Sequence, residues 1–281
     1  MTEPAHWGVR RRLLDTMDRL HLARPAVRAY ELALAARSQL VDRRDDSADE
    51  IPLPPAHLRA HIGPLHTDAD FFIRSGRRHA ELIGELLHED GAAIEELDAI
   101  LDWGCGCGRV LRHWSRLAAP TSVAGCDIDP RLIQWCSGNL PFAEVAVTGL
   151  RPPLPYADST FGLVYAFSVF THLDEELQRV WMRESCRVLR PGGYLLISTL
   201  GAHYASLDRL TESEREAFSQ GRLVVLYERS SGTSLCSAYH PAAYVHRSLA
   251  ADFDLVSFRP AGDDGRHDIH FFRKPPAGRS H

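Results

Sequence analysis

The chain has 281 residues, 44% of them hydrophobic, and a formal net charge of −5. That composition supplies a sizeable globular core, and the acidic balance argues against nucleic acid as the main partner, since phosphate contacts need a concentrated basic surface. No apolar run approaches a membrane span, the N-terminal stretch lacks a signal-peptide core, and the six cysteines show neither paired CxxC spacing nor a histidine cluster. The expectation is a cytoplasmic protein with reduced thiols, no membrane contact and no metal.

Residues 8–40 are expected to be helical. Leu13, Leu14, Met17 and Leu20 form one apolar stripe, and after Pro25 the residues Ala26, Val27, Tyr30, Ala33 and Leu34 form another. The charged, then Pro-rich segment 41–55 reads as a surface loop. A second helix is expected from about Asp68 to Leu87, with Phe71, Phe72, Leu82, Ile83, Leu86 and Leu87 as its apolar members. From Ala99 the rhythm changes. Short apolar runs at 99–103, 122–127, 143–147, 161–167 and 193–199 alternate with helical stretches at 110–118, 130–138 and 174–189. This is the pattern of a parallel sheet with helical crossovers, its strands buried on both faces.

After Leu200 the alternation breaks. Residues 201–221 read as a polar, helix-containing insertion, and 222–228 as strand-like. A helix is expected over 240–252 with Pro241 in its first turn. Two strands follow at 253–260 and 267–274, joined by a turn at 261–266, and the last residues should fray. The expected fold class is α/β: a doubly wound, mostly parallel sheet over residues 96–275, with an N-terminal helical cap over 1–95.

The sharpest local signal is LDWGCGCGRVLR at 101–112. It follows a strand and opens a helical pattern, where Gly104, Gly106 and Gly108 let the backbone turn tightly and approach a ligand. Asp127, in GCDIDP at 125–130, stands at the end of the next strand, placed to accept ribose hydroxyls, while Asp129 suits a helix N-cap before Pro130. These residues alone leave a nicotinamide dinucleotide and S-adenosylmethionine both open.

LDWGCGCGRVLR resembles the first motif of the class I S-adenosylmethionine-dependent methyltransferases, an acidic residue followed by GxGxG. LPYADSTFGLVYAFSVFTHL at 154–173 is similar to that family's region around the fourth strand, with Gly162 where Asp is frequent, and LRPGGYLLIST at 189–199 to its fifth-strand hallmark. The resemblance covers roughly residues 99–200. It implies a Rossmann-like, seven-stranded sheet and S-adenosyl-L-methionine as cofactor. By the same resemblance Asp102 lies beside the methionine portion, Gly104, Gly106 and Gly108 form the bend with Cys105 among the cofactor-binding residues, Asp127 holds the ribose and Ile128 packs near adenine. Thr148, Gly149 and Leu150 fall near the base, and Phe167 and Ser168 near the cofactor's centre. FFIRSGRRHAELI at 71–83 resembles a segment that closes over the cofactor in bacterial relatives, which brings Phe72, Arg74, Ser75 and Gly76 to the pocket, Arg74 facing the methionine carboxylate.

The acceptor is expected beyond the carboxyl ends of the strands. His172 follows the fourth strand, and Tyr239 and His240 precede a helix, so these three are the catalytic candidates, a histidine being suited to proton removal. His267 and Asp268 are expected to brace a loop. The expected function is methyl transfer to O or N of a small-molecule acceptor, as in a biosynthetic pathway. Methylation of a protein or RNA, and cofactor binding without catalysis, are the alternatives. RSLAADFDLVSF reads equally as a homodimer edge or as ordinary core.

Overall fold

The computed structural model describes residues 4–22, 25–27, 29–30, 33–34, 36, 51–117, 121–207, 210–276 and 278. The five residues of the second apolar stripe are described and lie in helical backbone, while most of the 41–55 loop and four of the last five residues lie outside this set. The nearly continuous apolar runs form strands β1 (Ala99–Trp103), β2 (Ser122–Asp127), β3 (Ala143–Val147), β4 (Phe161–Ala166) and β5 (Leu189–Thr199). Two short strands, β6 (Val224–Leu226) and β7 (Ser237–Tyr239), pair with each other in a separate sheet. The long hairpin β8 (Asp254–Asp263) and β9 (His267–Arg273) completes a seven-stranded sheet in the order β3-β2-β1-β4-β5-β9-β8. Six strands run in one direction, and β9, between β5 and β8, is antiparallel to both.

Every residue of β1 and β4 is buried, as helices on both faces require. The pleat sorts them: Leu101, Val164, Leu195 and Ile197 face one layer, Ile100, Leu163 and Leu196 the other. The flanking helices in chain order are α1 (Pro4–Arg19), α2 (Ala56–Arg59), α3 (Ala69–Glu89), α4 (Pro130–Asn139) and α5 (Glu175–Val188). Helix α3 buries Leu82, Ile83, Leu86 and Leu87 against the second layer, and α5 buries Leu177, Trp181 and Met182 against the first. Asp68, Asp129 and Asp174 cap α3, α4 and α5, each accepting a backbone N–H of the first turn. Among the described residues no helix is long and apolar enough to cross a membrane.

Two expectations need correction. The stretch expected as a helix over 110–118 is, over its described residues 110–117, not an α-helix but a turn leading into one 3₁₀ turn, Leu111–Trp114. Its side chains are tied elsewhere: Arg112 donates to the Ile51 carbonyl at 2.7 Å, and the Trp114 indole donates to the Tyr165 hydroxyl at 2.8 Å. Residues 240–252 give only a short turn, α8 (Ala242–Tyr244), which widens into a π-helical turn at Val245–Leu249; it follows α6 (Ala202–Leu207) and α7 (Glu212–Ser219) of the 201–221 segment. The strand-like stretch 222–228 holds β6, as expected, and lies outside the main sheet. A bridge between Leu200 and Tyr239 links its small sheet to the end of β5. The outer strand on one side is β8, whose first half, residues 254–258, belongs to the segment that reads as a dimer edge.

Candidate functional site

The bend after β1 is fastened from both sides. The amides of Gly104 and Cys105 donate to the Cys126 carbonyl at 2.8 and 3.0 Å. Gly104 has φ +80, and a Cβ there would lie 2.4 Å from Val169 Cγ2. At the tip of β2, Asp127 Oδ2 accepts the Gly106 amide and Oδ1 the Asp129 amide, both at 2.9 Å. Burial raises its pKa while those amides pull the other way. Each oxygen keeps a lone pair for a ligand.

Two cavities open at the carboxyl ends of β1, β2 and β4. The larger, of about 840 Å³, runs past Trp103, Asp127, Ile128, Leu150 and Trp181; Ile128 is 48% exposed there. The smaller, of about 150 Å³, is lined by Phe71, His79, Asp102, Arg109 and His267. Gly104, Gly106, Phe167 and Ser168 border both. Ser168 is held in a left-handed conformation, φ +58, its amide donating to Ser198 Oγ at 2.7 Å.

The smaller cavity carries charge. Burial pushes the Asp102 carboxyl up to about 7, against a hydrogen bond from Tyr165 and the field of Arg109. Among the described residues Asp102 Oδ2 and Arg109 Nη1 are buried without a hydrogen-bond partner. Arg109 Nη2 donates to His79 Nδ1 at 2.9 Å. His79 in turn lies 2.6 Å from Asp263 Oδ1, and its ring stacks on Phe167 at 3.9 Å. Burial, then Arg109, lowers the His79 pKa to about 4. Asp263 also receives His267 Nδ1 on Oδ2 at 3.1 Å. Burial works to raise the Asp263 pKa, but the bonds from His267 and His79 hold it well below the usual carboxylate range.

A family model described as a methyltransferase domain matches residues 101–197, the span from β1 through β5. A malonyl-acyl-carrier protein O-methyltransferase from Hahella chejuensis is 31% identical over 102 residues, covering 36% of this chain and 36% of its own length. A phthiotriol/phenolphthiotriol dimycocerosates methyltransferase from Mycobacterium ulcerans is 34% identical over 144 residues, covering 50% and 44%. Among solved structures, the 1,6-didemethyltoxoflavin-N1-methyltransferase of Burkholderia thailandensis has a similar fold over 88% of this chain and 90% of its own, at TM-score 0.52 and 16% identity. Over residues 101–197 the chain is thus similar to methyltransferase domains, on a seven-stranded sheet like the one the class I resemblance implies. It spans less than half the length of these two curated relatives.

Of the residues expected to turn toward a cofactor, Asp102, Gly104, Cys105, Gly106, Asp127, Ile128, Gly149, Leu150, Phe167 and Ser168 line one or both cavities. Gly108 lines neither; it packs on α4, where a Cβ would lie 2.6 Å from Leu140 Cδ1. Arg74 and Gly76 also line neither. Phe71, Ser75 and His79, spaced by four, form the cavity face of α3, which leaves Arg74 exposed and Gly76 against the Arg109 carbonyl, while Phe72 is core. Of the catalytic candidates, His172 lines the larger cavity, with Nδ1 donating to the Cys236 carbonyl at 2.8 Å and its pKa lowered by burial. Tyr239 and His240 reach neither cavity, because the His240 amide is tied to the Leu200 carbonyl and its ring turns inward to Gln178 Oε1 at 3.1 Å. Asp268 braces a loop, accepting the Ala261 amide.

Sequence reasoning missed His79, Arg109, Asp263, Trp103 and Trp181. His79 did leave a signal: it sits on the buried stripe Phe72, Gly76, Ala80, Ile83, where an apolar residue is expected.

Proposed function

We propose that this chain transfers a methyl group from S-adenosylmethionine to an oxygen or nitrogen of a small-molecule acceptor. One observation carries the reading. Asp102 Oδ2, an acceptor, and Arg109 Nη1, a donor, are both buried and unpartnered among the described residues, and both belong to residues lining one small cavity. Groups in that state are costly unless a ligand pairs with them. A zwitterionic amino-acid end meets both needs together, its ammonium at Asp102 and its carboxylate at Arg109. Across the glycine bend, Asp127 offers lone pairs to ribose hydroxyls, and Ile128 and Leu150 offer apolar walls to a base. An amino acid joined to a nucleoside spans both cavities.

When bound, the cofactor supplies an electrophilic methyl group on a sulfonium. The chain holds the two ends apart and keeps the junction at Phe167 and Ser168 walled from water, so that an acceptor meets the methyl group in line. The six unpaired cysteines support a cytoplasmic location. Titration calorimetry with S-adenosylmethionine and S-adenosylhomocysteine tests the reading. A single site is expected, weakened at least tenfold in Asp127→Ala, which loses the ribose contact and the clasp on the Gly106 amide together. Absence of binding heat with both nucleosides, or full affinity in the variant, removes the assignment.

A further inference from the structure

The small cavity has two walls of different origin. The glycine bend provides Asp102 and Arg109, which the cofactor reading uses. The opposite wall comes from the β8–β9 turn and α6, and carries Asp263, Arg266, His267 and Tyr204. Nothing in the cofactor reading employs it.

At the centre of that wall Asp263 stands between two imidazoles, and the donors fix their tautomers. A guanidinium only donates, so Arg109 uses the lone pair of His79 Nδ1, and the His79 proton sits on Nε2, donated to Asp263 Oδ1. Both nitrogens of His79 are spent. His267 differs. Its Nδ1–H is given to Asp263 Oδ2, which leaves the Nε2 lone pair on a residue that lines the cavity. The His267 ring stacks on Tyr204 at 5.3 Å and 24°, which fixes its plane. Through Asp263 and His79 the pair is one stacked ring from Phe167, the residue at the junction of the two cavities. A nucleoside and an amino-acid tail sharing one sulfur place that sulfur at this junction. His172 borders only the larger cavity, beside Leu150 and Gly232.

We propose that His267 Nε2 is the general base for an acceptor hydroxyl, with Asp263 as its positioning residue, so that the acceptor class is an alcohol or phenol. The inference rests on the cofactor reading above. In the transfer, the hydroxyl proton passes to Nε2 and the oxygen lone pair forms the O–CH₃ bond. The S–CH₃ bond breaks and its electron pair stays on sulfur, which becomes a neutral thioether. Asp263 offsets the charge of the imidazolium, which then returns its proton to water. An amine acceptor needs only its own lone pair and would leave this dyad without a task.

The test compares wild type with His267→Gln, Asp263→Asn and His172→Gln. S-adenosylhomocysteine affinity is read by calorimetry, the His267 tautomer by ¹⁵N NMR, and transfer of radiolabelled methyl by screening amines together with alcohols and phenols of graded acidity, 4-nitrophenol among them. Wild type is expected to carry the His267 proton on Nδ1 and to label at least one hydroxyl acceptor. His267→Gln should bind S-adenosylhomocysteine within twofold of wild type and lose about 10²-fold or more in kcat on the least acidic hydroxyl. That loss should shrink below about tenfold on 4-nitrophenol, which ionises without help at mildly basic pH. Asp263→Asn should follow the same trend, smaller in size, with KM little changed and the tautomer shifted. A loss uniform across acidities, a loss confined to His172→Gln, labelling of amines alone, no labelling at all, or a proton on Nε2 overturns the inference while the cofactor reading stands. Failure of wild type to bind S-adenosylhomocysteine overturns both.

Discussion

A buried carboxylate with one oxygen unpaired is unstable as an anion, and Asp102 answers by holding a proton. It is 4% exposed, and burial pushes its pKa to about 7. The free protein at pH 7 therefore carries it in both forms. An ammonium arriving at Oδ2 favours the ionised form alone, so binding at neutral pH releases a proton. The sign follows: affinity rises as pH climbs through 7 and levels off once Asp102 is ionised beforehand. Calorimetric heats for S-adenosylmethionine at pH 7 should differ between phosphate and Tris by the ionisation heat of about half a proton, in line with that pKa. Asp102→Asn should bind more weakly and lose the difference; equal heats in wild type would argue that no cation meets this oxygen. The motif made Asp102 legible as a cofactor residue, but its missing partner was not, since that depends on Tyr165 and on Arg109 turning its other nitrogen to His79.

At the scale of elements, the contact that shapes the site is α3 against the turn after the glycine bend. Gly76 lies so close to this turn that a Cβ would stand 2.0 Å from the Arg109 carbonyl oxygen and 3.0 Å from His113 Nε2. The first neighbour is backbone and cannot step aside. Gly76→Ala should cost about 1–3 kcal/mol by overpacking, and it should weaken S-adenosylmethionine binding because the displaced residue is Arg109. Gly84, on the same helix, has nothing within 4 Å of its would-be Cβ. Gly84→Ala should instead raise stability by up to about 1 kcal/mol through helix propensity, leaving affinity unchanged. Thermal melts and calorimetry on the two variants check the pair, and similar behaviour of both would show that helix propensity, not contact, governs. The helix itself was plain in the sequence, with its cap and apolar stripe. Its phase around the cavity was not, for the spacing 71, 75, 79 acquires meaning only once a cavity lies alongside. The glycine bend was legible too, whereas the turn after it misled, because Arg112 and Trp114 are held by residues 61 and 51 positions away.

Across the whole molecule, the sheet was readable because each strand is a short apolar run bounded by its own turn, a local signal. The opposite wall of the small cavity was not readable, because His79 and Asp263 are 184 residues apart and meet only through the strand order β5-β9-β8. The same long-range packing buries histidines in neutral form and so sets the response to acid. His240 is 0% exposed, and burial lowers its pKa to about 3, against an ordinary value near 6.5. Above pH 6.5 neither folded nor unfolded chain protonates it, and it contributes nothing. As pH falls below 6.5 the unfolded chain takes a proton that the folded chain refuses, so stability drops by about 1.4 kcal/mol per pH unit until the folded form titrates near pH 3. His66, at about 3, and His79, at about 4, act with the same sign. Asp102 opposes them: between its unfolded value near 4 and about 7 the folded chain holds a proton the unfolded chain has lost, so its share of stability grows as pH falls. His172, His246 and His270, also lowered by burial, add to these three. The histidines together outweigh Asp102 and the likewise raised Asp127 and Asp268, so denaturant midpoints should fall from pH 6.5 to pH 4.5. His240→Gln removes one of these histidines. Its stability, whatever its value at pH 7, should decline less steeply over that range, by about 1.4 kcal/mol per pH unit. A slope equal to wild type would mean that the folded protein already admits a proton at His240, and that Gln178 does not seal it from water.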